Sequence, residues 1–187
     1  MHLETKRIET KQLILRPFKI EDAHALFANW GSDPEVTKFV SWPRYTEEKM
    51  AEGRMRYMQD CYAKGEIADW AIELKELGQA IGSIGVVGVN EKVLSVEVGY
   101  CIGSRWWNQG ITTEAFGAVI QYFFSETEVC RIEARHDTRN PASGAVMKKC
   151  GLLYEGTLRS ASWNHSGICD LACYGLLKSD YLKEHTL

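Results

Sequence analysis

Apolar and polar residues alternate singly along Val96-Glu97-Val98-Gly99-Tyr100-Cys101-Ile102, the spacing of a strand with one buried face. After a short turn holding Gly110, the apolar residues Ala115, Phe116, Val119, Ile120 and Phe123 recur at helical spacing, and Thr112 and Thr113 are candidates to cap that helix. The same two periods divide the rest of the chain. Leu13 and Leu15 mark a first strand over residues 12–18, which Pro17 ends. Ala23, Leu26, Phe27 and Trp30 predict a helix over residues 20–30. Asp33-Pro34-Glu35-Val36 reads as a turn entering a short helix. Thr46 is a candidate cap for a longer helix reaching about Ala63, with Met50, Met58, Cys61 and Tyr62 facing inward.

From Asp69 the period becomes that of strands. Trp70, Ile72 and Leu74 form one, the glycine-rich stretch over residues 80–89 the next, and residues 93–102 the third. Cys130, Ile132, Ala134 and His136 alternate as a further strand. Asn140 caps a short helix, Pro141 takes its first position and Gly151 stops it. Residues 154–162 and 168–177 form a hairpin around Asn164-His165-Ser166-Gly167, and a helical tail follows from Ser179. The order predicts an α/β (α+β) fold: a mixed, mostly antiparallel sheet of about seven strands, flanked by helices and containing one strand–helix–strand crossover.

Composition narrows the class. With 187 residues, 45% hydrophobic and 25% charged, the chain suits one soluble globular domain over residues 1–187. No apolar run approaches the roughly 20 residues that span a bilayer, and the first residues lack the apolar core of a signal peptide, so a cytoplasmic protein without a membrane partner is expected. A net charge of −3 without a basic patch argues against direct nucleic-acid binding. The six cysteines form no Cys-x-x-Cys pair and sit mostly in apolar patterns, as buried thiols of a reducing compartment do. None pairs with a histidine at ligand spacing, so no metal is expected.

The turn between the Val96–Ile102 strand and its helix has the chemistry of an anion site. The first N–H groups of a helix have no partner within it, the macrodipole makes that end positive, and Gly110 leaves room for close approach. An ordinary glycine turn is the alternative. No Gly-Lys-Ser/Thr follows, so it is not a nucleoside-triphosphate loop.

The stretch Gly-Tyr-Cys-Ile followed by Trp-Trp-Asn-Gln-Gly-Ile-Thr-Thr-Glu-Ala resembles the acetyl-CoA signature of the GNAT acetyltransferase superfamily, and most closely its RimJ/RimL-like branch of ribosomal-protein alanine/serine N-acetyltransferases. Against the family pattern Gln/Arg-x-x-Gly-x-Gly/Ala, Gly110 fits the central glycine, Trp107 stands at the Gln/Arg place and Thr112 at the last small place. A second motif supports it: Asn140-Pro141-Ala142-Ser143, then Lys149-Cys150-Gly151-Leu152 and the acidic–glycine pair Glu155-Gly156. The resemblance covers about residues 10–178 and implies the GNAT fold, with acetyl-CoA as acyl donor and an amine as acceptor.

It also implies roles. Tyr100, Cys101, Ile102, Trp107, Asn108, Gln109, Gly110, Ile111, Thr112 and Thr113 would hold acetyl-CoA, with Asn140 and Ser143 beside the pantetheine arm. The Val96–Ile102 strand would splay from its neighbour at a bulge and offer free N–H groups, one of them, on Cys101 or Ile102, to the acetyl oxygen. Many members carry a tyrosine seven residues after the asparagine to protonate the departing thiolate. Met147 stands there and cannot donate, so Ser143 is the substitute. Capping of the helix alone is the other reading of Asn140 and Ser143.

For the base, Glu97 comes first, an acid among apolar neighbours where burial would raise its pKa. A solvent-facing residue is its alternative, and Glu133 and His136 are reserves. Cys101 reads better as a core thiol than as a nucleophile. An α-amine, with pKa near 8 against about 10.4 for lysine, reaches its neutral form for roughly 3.4 kcal/mol less, which suits a site without a strong base. The acceptor pocket is expected from Trp30, the loop Ser41-Trp42-Pro43-Arg44-Tyr45, the second helix and the loop over residues 163–167, with Trp42, Tyr45 and Trp163 as substrate-binding candidates; core packing is the alternative for Trp42 and Trp163. The leading function is acetylation of a protein or peptide N-terminal α-amine by a monomer or homodimer. Acetylation of a small amine, and acyl-CoA sensing without turnover, are the competing readings.

Overall fold

The computed structural model describes residues 3–66 and 69–185. Its centre is an eight-stranded sheet in the spatial order β1-β2-β3-β4-β5-β6-β8-β7. The strands are β1 (Ile8–Glu9), β2 (Leu13–Pro17), β3 (Trp70–Leu74), β4 (Gln79–Asn90), β5 (Ser95–Ile102), β6 (Arg131–Asp137), β7 (Leu153–Asn164) and β8 (Gly167–Leu177). Every neighbouring pair is antiparallel except β5 and β6, which run parallel around α4 (Ile111–Glu126). The eighth strand, beyond the seven that periodicity marks, is β1: two residues are too few to show a period, and pairing with β2 alone defines them.

The remaining helices are α1 (Asp22–Leu26), α2 (Pro34–Thr37), α3 (Glu48–Ala63), α5 (Pro141–Lys149) and α6 (Lys178–His185). α1 widens into a single π turn over Phe27–Gly31, where the Ser32 N–H and hydroxyl both donate to the Phe27 carbonyl. A side chain at Gly31 would lie 2.8 Å from the Tyr45 ring, so the bare glycine lets the turn dock there. Two expected caps are absent. α3 starts at Glu48, and the Thr46 hydroxyl lies 3.7 Å from Met50 Sδ. α4 takes Gly110 at its cap, which moves Thr112 and Thr113 into the first turn.

The sheet carries a core on each face. α4 buries Ala115, Phe116, Val119, Ile120 and Phe123, all expected from its period, against Leu13, Trp70, Ile84, Val96 and Val98. On the other face α1 and α3 bring Leu26, Trp30, Ala51, Met55, Met58 and Cys61 together over Ala71 and Ala80. Among the described residues no helix is long and apolar enough to cross a membrane.

Candidate active site

β5 and β6 pair only at Ser95↔Arg131, Val96↔Ile132 and Glu97↔Glu133, after which the two strands part. At the same level β4 carries a bulge between Val86 and Gly88, opposite Glu97 and Val98. The parting creates a cavity of about 500 Å³ walled by β5, β6, α4 and α5.

The direction of each β5 amide follows from its register. The Gly103 N–H donates to the Ile81 carbonyl on the β4 side, while the Leu94 carbonyl accepts from Cys130 on the β6 side. Bonding direction alternates along an antiparallel strand, so the Cys101 N–H is turned to β4, opposite Ser83, and those of Tyr100 and Ile102 are turned into the opening. Of the two amides expected to serve the acyl oxygen, that of Ile102 is turned into the opening and that of Cys101 is turned away from it. The Ile102 carbonyl is taken by the Trp107 indole N–H at 3.0 Å. The Cys101 side chain lies with Sγ 3.5 Å from Ser83 Oγ, and burial pushes its thiol up to about 11, which leaves it a poor nucleophile.

The turn over residues 107–110 is held in left-handed conformations at Asn108 (φ 61°) and Gly110 (φ 79°). Open space surrounds the position a Cβ of Gly110 would take. The next amides, at the N-terminus of a helix of 16 residues, face the cavity through Ile111, Thr112 and Thr113. A carboxylate in this first turn, Glu114, would compete with a bound anion, but it is drawn off to the β1–β2 turn by the Thr10 hydroxyl (2.6 Å) and the Gln12 N–H (2.8 Å). Burial opposes its ionisation, yet these hydrogen bonds outweigh it and hold its carboxyl below the usual range.

α5 forms the opposite wall. Asn140 occupies its cap position without a side-chain cap bond, so its amide faces the cavity uncommitted to the helix. The Ser143 hydroxyl donates to Tyr100 Oη at 3.2 Å, and the Tyr100 hydroxyl donates to the Ser143 carbonyl at 2.8 Å. Burial raises the Tyr100 phenol far above its ordinary range, so it keeps its proton. Met147 is buried in the core beneath. His136 Nδ1–H donates to the Asp137 carbonyl at 2.8 Å, and Nε2 is buried without a hydrogen-bond partner among the described residues. Nε2 lies against Gly144, where a Cβ would come within 2.4 Å.

Toward the other end the cavity is lined by Lys38, Phe39 and Val40 of the loop after α2, and by Arg135 and Asp137 of β6. Glu97 lies next to it: Arg135 Nη2 sits 3.6 Å from Glu97 and 3.6 Å from Glu133. Burial raises the Glu97 carboxyl, Arg135 opposes this and Glu133 adds to it, with a net upward shift. Asp137 is buried and accepts from the Arg139 backbone and guanidinium and from Asn164 Nδ2, which hold it well below the usual carboxylate range. That node ties the end of β6 to the hairpin tip. From the tip, the Ser166 hydroxyl donates to the Lys38 carbonyl (3.1 Å) and His165 Nε2–H to the Trp42 carbonyl (2.9 Å).

One cavity therefore brings together Tyr100, Cys101, Ile102, Trp107, Asn108, Gly110, Ile111, Thr112, Thr113, Asn140 and Ser143. Gln109 lies at its turn, with its amide donating to the Arg105 carbonyl. Trp42 and Tyr45 stack at 5.5 Å beside a separate pocket of about 110 Å³ on the α3 face. Trp30 is core, and Trp163 is an exposed residue of β7. The site residues not foreseen are Lys38, Phe39, Val40, Arg135, Asp137 and Lys149. Asp137, a carboxylate closing an apolar alternation, and Lys149, within the second motif, carried a sequence signal. Among the described residues no cluster of His, Cys, Asp and Glu could hold a metal ion.

The chain matches the model of the acetyltransferase (GNAT) domain over residues 12–153. It is 30% identical over 172 residues to the uncharacterized N-acetyltransferase p20 of Bacillus licheniformis, covering 92% of this chain and 96% of that one. It is 25% identical over 140 residues to the ribosomal-protein-serine acetyltransferase of Escherichia coli, covering 72% of this chain and 75% of the relative. Among solved structures, the ribosomal L7/L12 α-N-protein acetyltransferase RimL in complex with coenzyme A superimposes with a TM-score of 0.82 at 17% identity, covering 92% of this chain and 98% of that one. The family match spans the strand, turn and helix that build the cavity, and the protein belongs to the GNAT acetyltransferase family as an acetyl-CoA-dependent N-acetyltransferase.

Proposed function

We propose that the enzyme acetylates the terminal α-amine of a protein or peptide, with acetyl-CoA lying in the cavity between β5 and β6. The observation that carries this reading is the cavity itself, which has bare amides of Tyr100 and Ile102 on one wall, the first turn of α4 at one end and Asn140 and Ser143 on the other wall. Acetyl-CoA supplies the activated acyl group. The β5 amides pair with the amide groups of the arm as an added strand would, and the Ile102 N–H stabilises negative charge growing on the acyl oxygen. Ser143 holds the proton that the departing sulfur needs, and Tyr100, kept protonated by its surroundings, orients that hydroxyl. Glu97 stands five residues from Ile102 along β5, roughly 16 Å at strand spacing, so it accepts the proton of the incoming amine through a chain of waters. The rest of the rate enhancement is positioning.

Asp69, which lines the separate pocket on the α3 face, is bonded to Arg54 at 2.8 Å, so that pocket offers no free acid to a small polycation. The relatives named for ribosomal-protein acetylation support an N-terminal acceptor. The test is to incubate the enzyme with acetyl-CoA and a panel of free and N-terminally blocked peptides, lysine-containing peptides, polyamines and aminoglycosides, reading thiol release. Turnover confined to free N-termini is expected. Turnover confined to small amines overturns the acceptor, and CoA binding without any turnover favours a sensor.

Two substitutions test the roles. Ser143→Ala should lower turnover about 10- to 100-fold while the dissociation constant for CoA stays within about twofold. Unchanged turnover would make Ser143 a structural residue only. Glu97→Gln should remove the acid limb of the pH–rate profile. Because burial raises the Glu97 pKa, its base form is lost as pH falls through a value nearer neutrality than an ordinary carboxylate's. The same shift makes ionised Glu97 a net cost to the fold above that pKa, so the variant should be no less stable at neutral pH. An intact acid limb removes Glu97 as the base.

A further inference from the structure

Beyond the last β5–β6 pair, Glu97↔Glu133, the third residue of each strand reaches α5: Tyr100 from β5 and His136 from β6. Both meet the same peptide unit. Tyr100 Oη donates to the Ser143 carbonyl at 2.8 Å. His136 Nε2 lies where a Cβ of Gly144 would come within 2.4 Å, closer than real Cβ atoms come to a neighbour. The unit between Ser143 and Gly144 is therefore braced from both edges of the gap, directly beside the Ser143 side chain.

The His136 ring is itself held. Its Nδ1–H donates to the Asp137 carbonyl, which also accepts the Asn140 N–H at 2.7 Å at the corner between β6 and α5. The Tyr174 ring packs against it, with 5.6 Å between centroids and 30° between planes. Among the described residues, Nε2 is the one buried side-chain polar atom without a hydrogen-bond partner. Leaving it so costs free energy that an apolar side chain would not. Gly144 is buried in the middle of α5, where glycine is a poor helix former, so the helix also gives up stability at this contact. What both sides supply is shape: a ring anchored at the corner reaches the helix, and a bare α-carbon receives it.

We propose that His136 is a positioning residue for Ser143, and that the missing side chain of Gly144 is its counterpart. Together they set how far α5 stands from β6, and so hold the Ser143 hydroxyl at Tyr100 Oη, 3.2 Å away, inside the cavity. The inference rests on the reading that Ser143 gives its proton to the departing sulfur. His136 acts on that step only through α5.

A double-mutant cycle on the intact protein tests this, with turnover at saturating acetyl-CoA read as thiol release with the fastest-reacting free N-terminal peptide of the panel. Gly144→Ala should lower turnover about tenfold, because a small displacement of α5 misplaces Ser143. Adding His136→Ala should return turnover to within about threefold of His136→Ala alone. In a Ser143→Ala background, Gly144→Ala should cost less than about twofold, since the group it misplaces is already gone. Should Gly144→Ala not fold, His136→Asn carries the same comparison. Its amide keeps the corner bond but stops short of the helix, and a loss of about fivefold is expected that Ser143→Ala erases. Full turnover in Gly144→Ala overturns the inference, and so does a loss that His136→Ala fails to relieve. A loss that persists in the Ser143→Ala background also overturns it, because the pair would then serve the fold or the cofactor. Full turnover in Ser143→Ala by itself overturns the proton-donor reading as well, an outcome distinct from a broken brace.

Discussion

Gly110→Glu is expected to lower CoA affinity about a hundred- to thousandfold, with little change in melting temperature. The turn puts φ at 79°, and open space lies where a side chain would start. A carboxylate introduced there sits among the same first-turn amides that a diphosphate needs. A like charge about 4 Å away costs roughly 4 kcal/mol at an effective dielectric constant near 20. Backbone strain at a left-handed position adds about 1 kcal/mol, which Gly110→Ala measures by itself. Titration with CoA should therefore give a modest loss for alanine and the full hundred- to thousandfold loss for glutamate. Unchanged affinity in the glutamate variant would remove the turn from the binding site, whatever the rest of the cavity does.

The second large effect is on folding. Arg16 is 11% exposed and holds two carboxylates: Asp22, through Nη1 and Nη2 at 2.7 and 2.9 Å, and Glu73, through Nε at 2.5 Å. Asp22 and Glu73 are 10% and 17% exposed, and Asp22 also accepts from the Lys19 N–H where the chain enters α1. Arg16→Ala should destabilise the protein by about 3–5 kcal/mol, because both carboxylates stay buried without their cation. Most of that is the penalty of orphaned charge rather than the net worth of the pairing. Replacing all three residues by apolar ones of similar volume should therefore recover much of the loss. Denaturant midpoints at constant slope measure both. A loss under about 1 kcal/mol for Arg16→Ala would show the cluster to be screened by water.

Arg16 also marks where local reading stops. In Leu13-Ile14-Leu15-Arg16-Pro17 it falls opposite the leucines of an alternating strand, the place of an outward polar residue. Whether that face meets water or a second helical layer depends on α1 and α3, and no short-range spacing encodes their position. Thr112 and Thr113 failed as caps for a related reason. A threonine just before an apolar period is the ordinary signal, but Gly110 in a left-handed conformation starts the helix earlier and leaves both threonines in its first turn. The Cys101 and Ile102 amides could not be told apart in the sequence either. Successive residues of a strand bond in opposite directions, and only pairing with β4 and β6 says which side opens.

The site was legible where its parts are close in sequence. Val96–Thr113 joins a strand, a turn and a helix start, and the physics of bare amides and glycine there is local. Pro141 and Gly151 likewise bound a helix by backbone preference alone, with Asn140 at the cap position and its side chain making no cap bond. The end of the cavity lined by Lys38, Phe39 and Val40 was not legible, because their loop is held by the hairpin tip, more than a hundred residues later. Trp42 and Trp163 drew attention as large aromatic residues, yet size says nothing of which side of a sheet a residue stands on.

By itself, then, the amino-acid order determined the alternation of strands and helices, the anion-competent turn and the two motifs, since each follows from preferences of residues within one or two turns of one another. Tertiary structure alone decided where β5 leaves β6, which amides face the gap and what surrounds Glu97. Those are contacts between segments far apart along the chain, made only when the two cores close on the sheet.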